Sequence, residues 1–172
     1  MWNNPGQKMI LGVGTDIVQV SRFKSWQNYS EEQLLRVFSE YELKYALRDA
    51  GFAGSSSLRQ GFVGHAGRTG LGVLDLQGLA SRFAAKEAFF KALSATLVKF
   101  NFTKQTFSFL FACQHVQIVK GIWDIPKFKI NWQAFQQKVG KKLPKLNVDL
   151  SISHEKEYAI CFVVISIQQP CA

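Results

Sequence analysis

The sequence predicts an α+β domain in which a central helix packs on a mainly antiparallel sheet, and three stretches carry that expectation. From Arg82 to Leu93 the chain is rich in Ala and free of Gly, Pro and β-branched residues, the composition that loses least side-chain freedom in a helix. From Met9 to Val18 the side chains alternate at the period of a strand. Val148, Leu150 and Ile152 alternate with Asp149, Ser151 and Ser153, and a nearly continuous apolar run from Tyr158 to Ile167 follows, suited to a buried strand. These two segments pair as a hairpin. With 172 residues, 47% of them hydrophobic and 15 of them Phe, the chain has the material for one core, and no repeat or linker divides it.

In chain order, the first strand places Met9, Leu11, Val13, Thr15 and Ile17 on one face and Ile10, Gly12, Gly14, Asp16 and Val18 on the other. Two glycines beside Asp16 clear space for a close approach to the backbone, or mark a weakened edge strand. Ser30 to Gln33 and Ser39 to Glu42 each have the spacing of a capping box, so two short helices start at Ser30 and Ser39. Seven glycines between Gly51 and Gly72, with Ser55, Ser56 and Ser57 among them, predict a mobile peripheral insertion over about 48–78. Gly64 to Gly70 lacks the Gly-Lys-Ser/Thr ending of a phosphate-cradling loop. In the central helix Leu79, Phe83, Phe90, Leu93 and Leu97 fall on one narrow core-facing arc. Glu87 and Lys91 lie side by side on its flank, either as a surface ion pair worth a few tenths of a kcal/mol or as a pair that meets a ligand at the edge of the core.

Beyond that helix, Thr106 to Lys120 alternates partly through Phe107, Phe109 and Phe111, and with Trp123 to Ile130 it predicts a second hairpin. Trp132, Phe135 and Val139 fall at helical spacing before Gly140, a natural helix stop. Lys138, Lys141, Lys142 and Lys145 around that stop form a solvated face or an anion-drawing patch. His154 falls at the turn of the last hairpin beside Ser151 and Ser153, either as a structural residue or in a cluster of small polar donors that suits phosphate.

A net charge of +9 implies anionic partners, whether nucleic acid, a membrane surface, phosphorylated cofactors or an acidic protein. Cys113, Cys161 and Cys171 are odd in number and contain no Cys-x-x-Cys pair, which points away from a disulfide framework or zinc site and towards a reducing compartment. No run reaches the roughly 20 apolar residues needed to span a bilayer, and Met1 to Lys8 lacks the apolar run of a signal peptide, so the cytoplasm is expected.

Three strings then act together. Arg82 to Leu93 resembles the signature helix of the 4'-phosphopantetheinyl transferases, specifically the short holo-acyl-carrier-protein synthase type. Gly12 to Val18 with Arg22 resembles that family's N-terminal strand, and Ser151 to Ala159 its C-terminal hairpin. The three occur in the family's order, cover about a third of the chain well, and leave 48–78 and 99–146 loosely matched; typical members are shorter at 48–78.

The resemblance implies the 4'-phosphopantetheinyl transferase fold and transfer of 4'-phosphopantetheine from coenzyme A to a serine of apo acyl carrier protein, in fatty acid biosynthesis. It implies Mg²⁺ held by Asp16 and Glu87, with Glu87 also the candidate base, and Lys91 as the group that neutralises the transferring phosphate. It implies Arg82, Lys86, Ser153 and His154 as phosphate contacts, with His154 also among the catalytic residues, Arg22 and Arg36 as contacts to the acidic carrier, and a homotrimer with sites between subunits. A broad-specificity transferase for polyketide or peptide synthases would be about twice as long, with a second copy of the helix motif. A basic nucleic-acid-binding module would show exposed aromatics interleaved with Lys and Arg, whereas most Phe here lie in apolar periodic runs. Neither nucleic acid nor membrane is therefore expected as a partner.

Overall fold

The computed structural model describes residues 8–46, 74–102 and 107–168. Strand β1 (Lys8–Gln19) leads into a 3₁₀ segment (Val20–Asn28), then helices α1 (Glu31–Leu35) and α2 (Glu40–Ala46). The long helix α3 (Leu76–Lys99) is followed by α4 (Phe109–His115), strands β2 (Val116–Lys120) and β3 (Pro126–Ile130), α5 (Trp132–Val139), β4 (Asn147–His154) and β5 (Tyr158–Gln168). Strands β1, β5 and β4 form one antiparallel sheet in that order, β2 and β3 form a separate hairpin, and α3 packs across β1 and β5. The α+β expectation holds.

The helix starts are local chemistry. Ser30 Oγ accepts from Gln33 N at 3.2 Å while Gln33 Oε1 accepts from Ser30 N at 2.8 Å, and Ser39 and Glu42 make the same reciprocal pair at 3.2 and 2.8 Å. Helix α5 ends at Gly140 with φ 69°, a left-handed stop that glycine adopts without a Cβ penalty. Asp75 Oδ1 accepts from Gly78 N at 3.1 Å and caps α3, so the central helix begins inside the segment expected to be insertion. Asp75 N also donates to Ala46 O at 2.6 Å, which joins the two chain ends that bracket 47–73. The glycine-rich stretch itself lies outside the described residues, as do Met1 to Gln7 and Cys171.

Three expectations are corrected. The stretch through Phe107, Phe109 and Phe111 is helical at its centre, since Ser108 caps α4 and Phe107 and Phe111, four apart, both pack on Phe135 with ring centroids at 5.2 and 5.5 Å. The hairpin that does form starts only at Val116. Strand β5 is covered on one face: Ala159, Cys161, Val163 and Ile165 are buried, while Tyr158, Ile160 and Phe162 are exposed. In β1 the ladder slips between Ile10 and Gly12, a bulge that turns Leu11 into the core beside the glycine face.

Helix α3 is buried over far more than the predicted arc. Leu79, Leu93 and Leu97 are in the core and Phe83 and Phe90 are half-buried, but Ala84, Ala85, Ala88, Phe89 and Ala92 are fully buried as well. What approaches the glycines of β1 is this helix. A Cβ on Gly12 would lie 2.1 Å from Ala92 O, and one on Gly14 would lie 2.0 Å from Ala88 O. Helix backbone and strand backbone are in direct contact there, so a methyl group at either position forces them apart. Gly14→Ala is therefore expected to destabilise the domain by about 2–4 kcal/mol, at or above the usual range for overpacking, with a lower thermal midpoint. Gly140→Ala, with open space around it, should cost only about 1 kcal/mol through its left-handed φ. Equal losses from the two would mean that the helix–strand contact tolerates a methyl group.

Candidate active site

The contact between α3 and β1 sets three polar side chains together. Asp16 follows Gly14 on the helix-covered face of β1, and Glu87 and Lys91 lie one turn apart on the helix that Gly14 admits. Lys91 Nζ stands 2.9 Å from Asp16 Oδ1, 3.4 Å from Glu87 Oε1 and 3.2 Å from Thr15 O. The first reading of the Glu87–Lys91 spacing is seen directly: the pair is an i,i+4 ion pair, and it faces a third charged group, Asp16, from another element.

Burial raises the Asp16 carboxyl above its ordinary value; the Lys91 hydrogen bond opposes that rise and the Glu87 charge adds to it. The same hydrogen bond to Asp16 holds the Lys91 ammonium above its ordinary value. Asp16 Oδ2 is buried and has no hydrogen-bond partner among the described residues. An orphaned carboxylate oxygen next to a second carboxylate suits a hard divalent cation, which takes oxygen ligands. Asp16 and Glu87 therefore fit Mg²⁺. Among the described residues no group of three or more His, Cys, Asp or Glu gathers, so the remaining ligands of such an ion would be water and substrate phosphate, the usual arrangement for Mg²⁺.

Lys86, expected at a phosphate, is instead a core residue and that expectation is corrected. Its side chain is fully buried, and Nζ bonds Glu42 at 2.9 Å, Cys113 O at 2.8 Å and Val116 O at 2.7 Å, using all three of its N–H donors. Glu42 is equally saturated, accepting from Ser39 N and Oγ at one oxygen and from Ile118 N at 3.0 Å at the other. Glu42 was legible only as a capping residue; its burial follows from where α2 meets β2.

Arg82 lies further up α3. Its Nη1 donates to Gly78 O at 3.0 Å, its Nε is buried without a partner among the described residues, and burial lowers its pKa from the ordinary value. The β4–β5 turn reaches this end of the helix, where Gln77 donates to Glu155 O at 3.3 Å. Glu87 is ten residues further along, about 15 Å at the rise of an α-helix. The two serines and His154 do not cluster. His154 shares a cross-strand row with Ala159 and Val18 on the helix-covered face, while Ser153 shares one with Ile160 and Ile17 on the other. Strand alternation thus separates Ser151 and Ser153 from His154. Arg22, on the 3₁₀ segment, and Arg36, at the C-terminus of α1, are exposed, and the Arg22 charge reaches Asp16.

Comparison with known proteins agrees with this architecture. Residues 12–163 match the sequence model of the 4'-phosphopantetheinyl transferase superfamily, and the chain belongs to that superfamily. Within it, its place is with the holo-[acyl-carrier-protein] synthases. It is 30% identical over 158 residues to that enzyme of Ehrlichia chaffeensis, covering 91% of this chain and 97% of the relative. Identity to the Treponema denticola enzyme is 32% over 157 residues, covering 91% and 98%. The crystal structure of a holo-(acyl-carrier-protein) synthase from Bacillus anthracis, in complex with CoA (3',5'-ADP), is 25% identical with a TM-score of 0.54, covering 92% of this chain and 97% of that one. An ACPS–CoA complex from Chronobacterium ammoniagenes shares the fold with a TM-score of 0.63 at 20% identity, covering 95% and 99%.

The placement of Lys86 generates a prediction. Removing one partner of a fully buried ion pair leaves the other charge unpaired, so Lys86→Met should destabilise the fold by about 3–5 kcal/mol in urea unfolding. At a temperature where the variant is still folded its KM for coenzyme A should stay within twofold of wild type. A large rise in that KM with normal stability would return Lys86 to the ligand site.

Proposed function

We propose that this chain transfers 4'-phosphopantetheine from coenzyme A to a serine of apo acyl carrier protein, with Mg²⁺ held by Asp16 and Glu87. The observation that carries this reading is the convergence of those two carboxylates with Lys91 across the α3–β1 contact, with Asp16 Oδ2 left without a partner among the described residues. When bound, Mg²⁺ neutralises the pyrophosphate of coenzyme A and polarises it for attack. Glu87 accepts the proton of the serine hydroxyl, directly or through a water. The serine oxygen bonds to the pantetheine-side phosphorus, and the bond to adenosine 3',5'-bisphosphate breaks. Lys91 offsets charge on the transferring phosphoryl group, and Arg82, whose Nε has no partner among the described residues, and His154 meet the phosphates towards the N-terminal end of α3. Arg22 and Arg36 steer the acidic carrier protein, consistent with the net charge of +9.

The outer face of the sheet supports a homotrimer with sites between subunits. Ile17, 62% exposed, pairs across β1–β5 with Ile160, and Phe162, 47% exposed, pairs with Thr15, which makes an apolar row on the face away from α3. Ser153 lies in the same row as Ile17 and Ile160, where it would serve a neighbouring subunit's site. The aromatic case for a nucleic-acid module weakens, because Phe23, Phe83, Phe89, Phe90, Phe107 and Phe135 are packed on other rings inside the domain. Among the described residues no helix is long and apolar enough to cross a membrane. Cys113 and Cys161 are free, with burial pushing both thiols up to about 12, and we place the chain in the cytoplasm with its substrates.

Incubation with coenzyme A, Mg²⁺ and apo carrier protein should raise the carrier mass by one phosphopantetheine; no mass increase overturns the reading. Asp16→Ala and Glu87→Ala should each lower kcat/KM by at least about 100-fold, and Glu87→Gln should show the loss of the base in kcat at saturating Mg²⁺. Arg22→Glu or Arg36→Glu should raise KM for the carrier with little change in that for coenzyme A, an effect that added salt mimics in wild type.

For the assembly, light scattering should give three times the mass of one chain, and Phe162→Asp should give a single-chain mass. A wild-type chain that runs as a monomer at micromolar concentration would remove the trimer.

A further inference from the structure

In the arrangement described, the space between the two proposed metal carboxylates is already served by a cation of the chain itself. Lys91 Nζ lies within 3.4 Å of an oxygen of both Asp16 and Glu87, and Thr15 O, at 3.2 Å, takes its third donor direction. One ammonium between the two acids offsets part of their mutual repulsion, so the unloaded site is a bridged triad that keeps a net negative charge rather than a bare pair of repelling carboxylates. The triad is incomplete, because Asp16 Oδ2 stays buried without a partner among the described residues. The Asp16 side chain is 9% exposed and that of Lys91 is 45% exposed, so the acid is fixed in the wall of the site while the base has a path to solvent.

We propose that Lys91 is a built-in placeholder for the metal, and that divalent cation binding in this chain is an exchange in which the ammonium is released from Asp16 and Glu87. A divalent ion coordinated by both acids and an ammonium within hydrogen-bond distance of the same oxygens repel strongly in a partly dry site. Lys91 engages only Oδ1 of Asp16, and a divalent cation would bring twice its charge to both acids, a difference that would drive the exchange. The released Lys91 stays tethered on the solvent side of the site, where the anionic substrate arrives. Metal loading therefore frees the group that meets the phosphate, and the two events are coupled through one side chain. This inference rests on the metal reading given above.

The test uses Mn²⁺ alone as probe, with free ion counted by electron paramagnetic resonance, on the full chain without coenzyme A or carrier. Lys91→Met keeps the aliphatic stem and removes the competing charge, so it should bind Mn²⁺ at least about tenfold more tightly than wild type. Lys91→Arg retains a cation and should stay within about threefold of wild type. Lys99→Met removes the same charge two turns away on α3, where Lys99 donates to Ile10 O, and it too should stay within about threefold. Without divalent cation, the thermal midpoint of Lys91→Met should fall because the acids then repel, and added Mn²⁺ should raise it by more than it raises that of wild type. Affinity in Lys91→Met equal to or weaker than wild type overturns the exchange, as does equal tightening in Lys99→Met, which would report net charge alone. If Asp16→Ala binds Mn²⁺ as wild type does, or if neither wild type nor Lys91→Met binds it, the metal reading itself falls and the exchange with it.

Discussion

The rest of this structure depends on one backbone-to-backbone contact, where α3 crosses β1 at Gly12 and Gly14. Because no Cβ intervenes, carbonyls of Ala88 and Ala92 sit where the missing methyl groups would be. That distance fixes how deep the helix lies on the sheet, how much of its circumference is buried, and how far Glu87 and Lys91 stand from Asp16. A strand with two glycines is intrinsically weak, and here the weakness is offset by burial of a helix whose small residues leave no gap. The site is thus a consequence of packing: its three charged groups come from two elements held so close that a Cβ at Gly12 or Gly14 would meet helix backbone.

A second polar cluster has a different purpose. Lys86 and Glu42 are as charged as Lys91 and Asp16, but their hydrogen bonds are closed among α2, α3, the end of α4 and β2, with no donor left for a ligand. A buried pair of this kind contributes little net stability against a hydrophobic alternative, yet it is unforgiving of losing one partner. It locks the β2–β3 hairpin and α2 to the central helix. The contrast between the clusters lies in saturation. One has all three ammonium donors and both carboxylate oxygens engaged, and the other leaves Asp16 Oδ2 and Arg82 Nε without partners among the described residues. Unsatisfied buried polar atoms are unfavourable unless something binds them, which is why they gather where chemistry is expected.

The sheet has one covered and one open face, and this asymmetry organises the remaining candidates. His154 falls on the covered side and Ser153 on the open side, although they are adjacent in sequence and were grouped by that adjacency. Strand period divides them. The apolar row of Ile17, Ile160 and Phe162 on the open side is larger than an isolated surface residue would explain, and a serine within it gains significance only if another copy of the chain lies opposite.

Local chemistry alone determined a great deal: the capping boxes at Ser30 and Ser39, the stop at Gly140, the alternation of β1 and the final hairpin, and the two strings that hold Asp16, Glu87 and Lys91. Each is a short-range pattern in which spacing dictates geometry. Tertiary structure decided the rest, because burial is a property of what an element packs against. The alanines of α3 are weak signals in a sequence, yet they are fully buried and the carbonyls of Ala88 and Ala92 lie against the glycines of β1. Phe107 and Phe111 satisfy strand and helix periods together until Phe135 selects the helix. Lys86 and Lys91, five residues apart on one helix, were both expected at phosphate, and their directions around the helix sent one to Glu42 in the core and the other to Asp16 at the site.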